Sequence, residues 1–316
     1  MDNAFGMVPR AAHRETYMLI TLDIFSGRRN PSWLLSPKKA KELMDRVAGR
    51  ALVADAEDGS SSGGLGFRGM LVAAVDDSDM ALPSTYRIGG AGAPEAGALD
   101  AGRRALTLDE SHDTVRWLLA SGAHALDDSI GAAVHDEIEA ALNGQRDAEA
   151  SIAADELHET TVADAQANAA CVIANTPYNP GFWNVPAVQP KNNCYNYAMN
   201  HRTDTFAQPG RISGHPTNVM QCANVSIAAN WDGCKSTCSG SNKLVALVVW
   251  PGVDYHWYRR HSNGFWGHKP GQTAARNVDN SGLLIDGTVR TPANCNRGNY
   301  THFCGYRFSP TGMRVR

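Results

Sequence analysis

The sequence has neither a long apolar run nor a strong excess of charge of one sign. Of its 316 residues 19% are charged, and the formal net charge is −3. Proteins that bind nucleic acid usually carry a basic field, so no nucleic-acid partner is expected. The longest apolar run, residues 244–250, is far shorter than the roughly 20 residues that span a bilayer. No membrane partner is expected either.

Targeting and cofactor signals are also absent. The first 17 residues lack the apolar core of a secretory signal, and Met18 directly precedes a strand-like run, so residues 1–17 could be an extension with no structural role. We therefore expect the protein to be cytoplasmic, or exported without a cleaved signal peptide. The chain has no glycine-rich phosphate-binding pattern, and no cofactor is expected.

Composition divides the chain into two parts joined by a linker. Residues 18–144 combine strand-like patterns with helical ones, such as the helix start at Ser36-Pro37, and predict a small α+β domain. Residues 145–170 contain hardly a large apolar residue, so 145–175 is predicted to be a linker. From 176 to 316, Asn, Trp, Tyr and Cys become frequent. The expected fold is α+β with two domains, the second rich in loops.

The seven cysteines do not decide whether the protein resides in an oxidising or a reducing compartment. If Cys194 is a reactive thiol, the other six could pair in an oxidising compartment, whereas in the cytosol they would be reduced. Cys234 and Cys238, with Cys222 and His215 nearby, could hold zinc, but no second pair of ligands stands at the required spacing. No metal is expected.

Residues 254–271 predict a β-hairpin, because aromatic residues flank an Asn-Gly pair. Its register decides whether His256 and His268 can cooperate. With a two-residue loop they lie on opposite faces. With a three-residue loop at residues 262–264, Tyr258 pairs with His268, and the two histidines become diagonal neighbours on one face. A joint role for the histidines therefore requires the three-residue loop.

Cys194 follows Asn193, a good helix N-cap. A cysteine in the first turn of a helix meets unpaired N–H groups and the positive end of the dipole, which favour the thiolate. Cys194 could then be a nucleophile, with His256 as general base and His268 holding its imidazole. In the alternative interpretation the cysteine packs or pairs, and the histidines are hydrogen-bonded structural residues.

Further side chains would complete such a site. Asp254 and, more weakly, Asp279 are alternative orienting residues for the imidazole of His256. Three aromatic residues could line a substrate groove, although aromatic residues in a loop-rich domain are more often part of the core. They are Tyr195, Trp257 and Trp266.

The order of Cys194, an apolar strand, His256 and, twelve positions on, His268 resembles the NlpC-type peptidases, a papain-like group of cysteine peptidases, over residues 194–271. The resemblance implies a papain-like second domain and a bacterial hydrolase, a thiol protease or amidase, with a peptide or protein substrate such as a cell-wall peptide. An acyl transferase acting on amides would use the same residues. The first domain would position the substrate or a partner protein.

The sequence departs from that family at the nucleophile, where Asn-Cys-Tyr-Asn replaces the usual Asp-Cys-Ser-Gly. The alternative function comes from a different class. It is a non-enzymatic matrix, surface or binding protein whose cysteines form structural disulfides and whose aromatic hairpin is a binding face.

Overall fold

The computed structural model describes residues 16–54, 64–75, 85–90, 104–144, 171–174 and 176–316. Helices and strands are both well represented among these residues, which confirms the α+β class. Almost all of the predicted extension and most of the predicted linker, residues 145–170 and 175, lie outside the described residues.

The N-terminal segment, residues 16–144, is built on an antiparallel sheet with strand order β2-β1-β5-β6-β4. Met18, Ile20 and Leu22 alternate with more exposed residues along β1, as in a strand with one face in the core. The predicted helix start is confirmed, because the Ser36 side chain accepts from the Lys39 amide. The elements are β1 (Met18–Asp23), β2 (Ser32–Leu35), α1 (Pro37–Val47), β3 (Arg50–Ala51), β4 (Val53–Ala54), β5 (Gly69–Ala74), β6 (Thr85–Ile88), β7 (Arg104–Ala105), α2 (Leu108–Ser121) and α3 (Asp128–Leu142).

The C-terminal segment, residues 171–316, forms a sheet of order β11-β10-β9-β12, with β8 parallel to β9. Its first strand lies where a linker was predicted. The elements are β8 (Cys171–Ile173), α4 (Cys194–Ala198), α5 (Cys222–Trp231), β9 (Gly240–Trp250), β10 (Asp254–Arg260), β11 (Trp266–His268) and β12 (His302–Pro310).

β9 is buried on both faces, which explains its continuous apolar run. Leu244, Ala246 and Val248 belong to a core cluster that also contains the buried residues of β1, β5 and α1 to α3. Val245 and Leu247, on the other face, pack with residues of α4 and α5. The two segments therefore share one hydrophobic core, and the predicted division into two domains is not confirmed.

Four of the seven cysteines form disulfides. Cys171 pairs with Cys238, and Cys222 pairs with Cys304. Three buried cysteines are free, namely Cys194, Cys234 and Cys295. Among the described residues, no helix has the length and apolar character needed to cross a membrane.

Candidate functional site

The hairpin has the register that brings the two histidines together. Tyr258 pairs with His268, and the His261 amide donates to the Phe265 carbonyl, which leaves a three-residue loop at 262–264. Gly264 closes this loop at φ +87°, in the region that favours glycine. Of the two registers left open by the sequence, the structure has the three-residue loop that a joint role for the histidines requires.

His256 and His268 form part of a buried chain of hydrogen bonds. The His268 Nε2 lies 2.9 Å from the Val278 carbonyl, which can only accept, so Nε2 carries the proton. The His268 Nδ1 then accepts from His256 Nε2 at 2.8 Å. The Nδ1 of His256 in turn accepts from the Ser26 hydroxyl at 2.5 Å. One backbone carbonyl thus fixes the tautomers of both neutral histidines.

Both imidazoles are held in the neutral form. Burial and the neighbouring His268 and Arg68 lower the pKa of His256 well below its ordinary value of 6.5. Burial, helped by Arg276, lowers the pKa of His268 to about 3. A positive charge on either ring would have no water around it, so the chain is a neutral hydrogen-bond network at physiological pH.

Cys194 lies at the start of α4, as predicted, but its thiol is not activated. Burial is the main reason why its pKa rises to about 12, and the nearby carboxylate of Asp254 raises it further. The first-turn amides of Tyr195 and Asn196 already donate to the Asn193 side chain. The expectation that the helix start favours a thiolate was therefore wrong.

The structure does not bring Cys194 into hydrogen-bond contact with His256. The Sγ of Cys194 lies 3.9 Å from the Tyr255 carbonyl and packs in the cluster around α4 and α5. The Ser26 hydroxyl, from the N-terminal segment, bonds to His256 and lies near the Cys194 thiol. Cys194, His256 and Ser26 are all fully buried or nearly so, and no substrate reaches them in this conformation.

The side chain of Asp254 binds the loop that follows β1. Its carboxylate accepts from the amides of Ser26 at 2.6 Å, Gly27 at 3.1 Å and Arg28 at 2.9 Å. The Tyr300 hydroxyl donates a fourth bond at 2.6 Å. Burial raises the pKa of Asp254 although all four bonds oppose this. Asp254 therefore joins the two segments and does not orient His256.

Asp279 is likewise engaged away from the histidines. Its carboxylate accepts from the amides of Ser281, Leu283 and Asn296 and pairs with Arg290 at 3.1 Å. These partners belong to its own loop and to the segment before β12. Asp279 thus stabilises local turns, and the orienting role predicted for it is not seen.

The aromatic residues predicted to line a substrate groove are core residues. Tyr195 and Trp257 are fully buried, with ring centroids 5.6 Å apart. The Tyr195 hydroxyl donates to Asp232 at 2.9 Å. Trp266 is 1% exposed and stacks on Tyr306. In this conformation none of the three is open to a substrate, because all of them are buried.

Sequence reasoning missed two buried residues near Cys194. Ser26 follows a strand in what reads as an ordinary turn, and nothing local indicates its contact with His256. The ammonium of Lys269 donates to the carbonyls of Gln189, Asn192 and Gly271, and burial lowers its pKa to about 7. Its position directly after His268 in the hairpin was the one available signal.

A set of three or more metal-ligating side chains does not occur within the described part of the chain. The cysteines considered for zinc are divided between the two disulfides and the free, buried Cys234. No residues here form a metal centre.

These features define a class of protein. It is a disulfide-bonded α+β protein in which the side chains of Cys194, Ser26, His256 and His268 are buried in the core. No protein-family model and no solved structure matches the chain. A curated relative does: insoluble matrix shell protein 1 of Ruditapes philippinarum is 45% identical over 138 residues, which are 42% of this chain and 90% of the relative. The chain belongs to the family of that protein.

This relationship corrects the class expected from the sequence. A shell matrix protein is neither a hydrolase nor a cysteine peptidase, and its source is not bacterial. The prediction of a bacterial hydrolase of the thiol-protease or amidase type was therefore wrong, whereas the remote resemblance to the NlpC-type group stays a prediction. The remote resemblance in the order of Cys194, His256 and His268 had suggested a site, whereas the structure places these residues in the interior.

Proposed function

We propose that the protein is a non-enzymatic structural component of an extracellular matrix. The observation that carries this proposal is the 45% identity to an insoluble matrix shell protein over 138 residues. Only part of this chain is covered by that likeness, so the proposal concerns a shared structural role and not every property of the relative.

The cysteines support an extracellular location. Two disulfides join residues that are 67 and 82 positions apart in the chain. Structural disulfides persist in oxidising compartments and are rare in the cytosol. The cytoplasmic location expected from the first 17 residues therefore has no support from the folded protein.

The closed cluster around Cys194 supports a structural role. A cysteine nucleophile needs a thiolate and access to a substrate. Cys194 has neither, because burial raises the pKa of its thiol to about 12 and leaves it 0% exposed. Its neighbours Ser26 and His256 instead connect the two segments of the chain.

Localisation tests the proposal. Antibodies raised against the folded protein would be applied to cells, soluble secretions and the insoluble extracellular fraction of the tissue or culture that produces it. We expect the protein in the insoluble extracellular fraction. Its confinement to the cytosol, with reduced cysteines, would refute the proposal.

A further inference from the structure

Three cationic side chains lie on one face of the C-terminal sheet. Arg259 of β10 and Arg307 of β12 both pair with Val245 of β9, which lies between them. Residues opposite each other in a sheet point to the same face, and Lys243, two residues before Val245, shares it. Val245 packs in the cluster with α4 and α5. The three cations therefore face the layer between the sheet and these helices.

All three cations are buried, and their partners are neutral. Arg259 and Lys243 are 2% exposed and Arg307 is 9% exposed. Lys243 donates to the carbonyls of Pro310 and Thr311 at 2.6 and 3.1 Å. Within the described residues none of the three forms an ion pair with a carboxylate, although buried charges are usually paired.

Among the described residues, the hydrogen bonds of the two arginines go to carbonyl oxygens. Arg259 donates from Nη1 to the Tyr197 carbonyl at 2.6 Å and lies over the Tyr197 ring, 4.6 Å from its centroid. Arg307 donates from Nη2 to the carbonyls of Ser226 and Cys234 at 3.4 Å. The Nε of Arg259 and the Nε of Arg307 are buried without a hydrogen-bond partner. Each guanidinium group thus keeps one N–H donor, at Nε, for which the described part of the chain supplies no acceptor.

Two acidic groups lie near the cluster, but among the described residues neither forms an ion pair with its cations. The carboxylate of Asp232 instead accepts from the amides of Gly210 and Ser213 and from the hydroxyls of Ser213 and Tyr195. Burial raises the pKa of the Cys234 thiol to about 11, although Arg307 and Lys243 act in the opposite direction. Cys234 is therefore neutral near pH 7. Burial and the nearby Arg259 lower the pKa of Lys243 to about 8, as expected for uncompensated neighbouring cations.

We propose that this cluster binds a small monovalent inorganic anion, such as a halide or hydrogencarbonate, with Arg259, Lys243 and Arg307 as its ligands. The anion supplies the missing negative charge and the acceptor for the unpartnered Nε donors. It must be small, because apolar residues such as Val225, Ala229 and Val245 fill the rest of this layer. This inference is independent of the proposed matrix function.

Thermal unfolding of the full chain in mixtures of sodium chloride and sodium gluconate, at constant sodium concentration, tests the proposal. Gluconate is too bulky to enter the layer. We expect the midpoint of the wild-type protein to rise saturably by several degrees as chloride replaces gluconate. The rise is expected to disappear in Arg259→Gln and to persist in Arg211→Gln, which removes an exposed arginine outside the cluster. A rise of equal size in Arg259→Gln would contradict the proposal, as would no rise in the wild type.

The chloride NMR line width provides a second measurement that needs no folded variant. If the protein binds chloride, the wild type broadens the resonance and added bromide reverses the broadening. The absence of excess broadening would overturn the proposal even if Arg259→Gln did not fold.

Discussion

At the scale of single residues, the chain from Ser26 through His256 and His268 to Val278 shows that residue types typical of a catalytic site can form a buried hydrogen-bond network. Each neutral histidine donates one hydrogen bond and accepts one, so a single carbonyl determines every proton position. The same residue types would serve an open active site. Burial distinguishes this cluster from an open active site, because it disfavours both the imidazolium and the thiolate.

The buried histidines predict a loss of stability in mild acid. A histidine whose folded pKa is lowered contributes stability above its unfolded pKa of 6.5, and this is lost as the pH falls toward the folded value, about 3 for His268. Between pH 7 and pH 4.5 we expect the free energy of unfolding in urea to fall by about 2–3 kcal/mol for His268 alone. His256 adds to this loss.

His268→Gln is expected to be less stable at pH 7 and to show a smaller pH slope, since one proton-binding difference is removed. His302→Gln, at a partly exposed position, serves as the control and should keep the wild-type slope. Asp254, whose pKa burial raises, acts in the opposite direction on acidification, so the difference between variants is the quantity to compare. A fall in the free energy of unfolding from pH 7 to pH 4.5 that is as large in His268→Gln as in the wild type would contradict this account.

At the scale of elements, the β10–β11 hairpin was the part of the site that sequence predicted best. Its register follows from local turn chemistry, in which Gly264 at φ +87° closes a three-residue loop. The helix starts at Ser36 and Asn193 were predictable for the same reason, because a cap is a contact between near neighbours.

Two glycine substitutions test this description of the elements. Gly264→Ala places a Cβ at positive φ and should lower the free energy of unfolding by about 1–2 kcal/mol. Gly131→Ala, near the start of α3 with no other heavy atom within 4 Å of the added Cβ, should raise it by about 0.5–1 kcal/mol. Denaturant titration measures both. Equal effects of the same sign would show that backbone conformation at residue 264 does not control the hairpin.

Contacts between distant parts of the chain could not be predicted from sequence. The amides of residues 26–28 meet Asp254, which lies 226–228 positions away. Neither partner has a local pattern that indicates the other, and the same holds for the two cysteine pairings. These contacts determine whether the site is open or closed, which is why sequence suggested the residues of the cluster but not their role.

At the scale of the whole molecule, three kinds of long-range contact hold the two segments and their ends together. The shared hydrophobic core joins β1, β5 and α1 to α3 to one face of β9. The carboxylate of Asp254 holds the loop at residues 26–28. The disulfide between Cys171 and Cys238 fixes β8, and that between Cys222 and Cys304 joins α5 to β12. A chain held in this way suits a durable structural protein.

The central claim is that Cys194 is an enclosed structural residue in a disulfide-bonded protein, and the most direct test is cysteine alkylation followed by peptide mass mapping. The native protein at pH 8 should leave Cys194 unmodified, as it should Cys234 and Cys295. After unfolding without reductant, those three should be alkylated, while Cys171–Cys238 and Cys222–Cys304 remain linked. Rapid alkylation of Cys194 in the native wild type that is abolished by His256→Ala, or alkylation of all seven cysteines without reductant, would contradict the account.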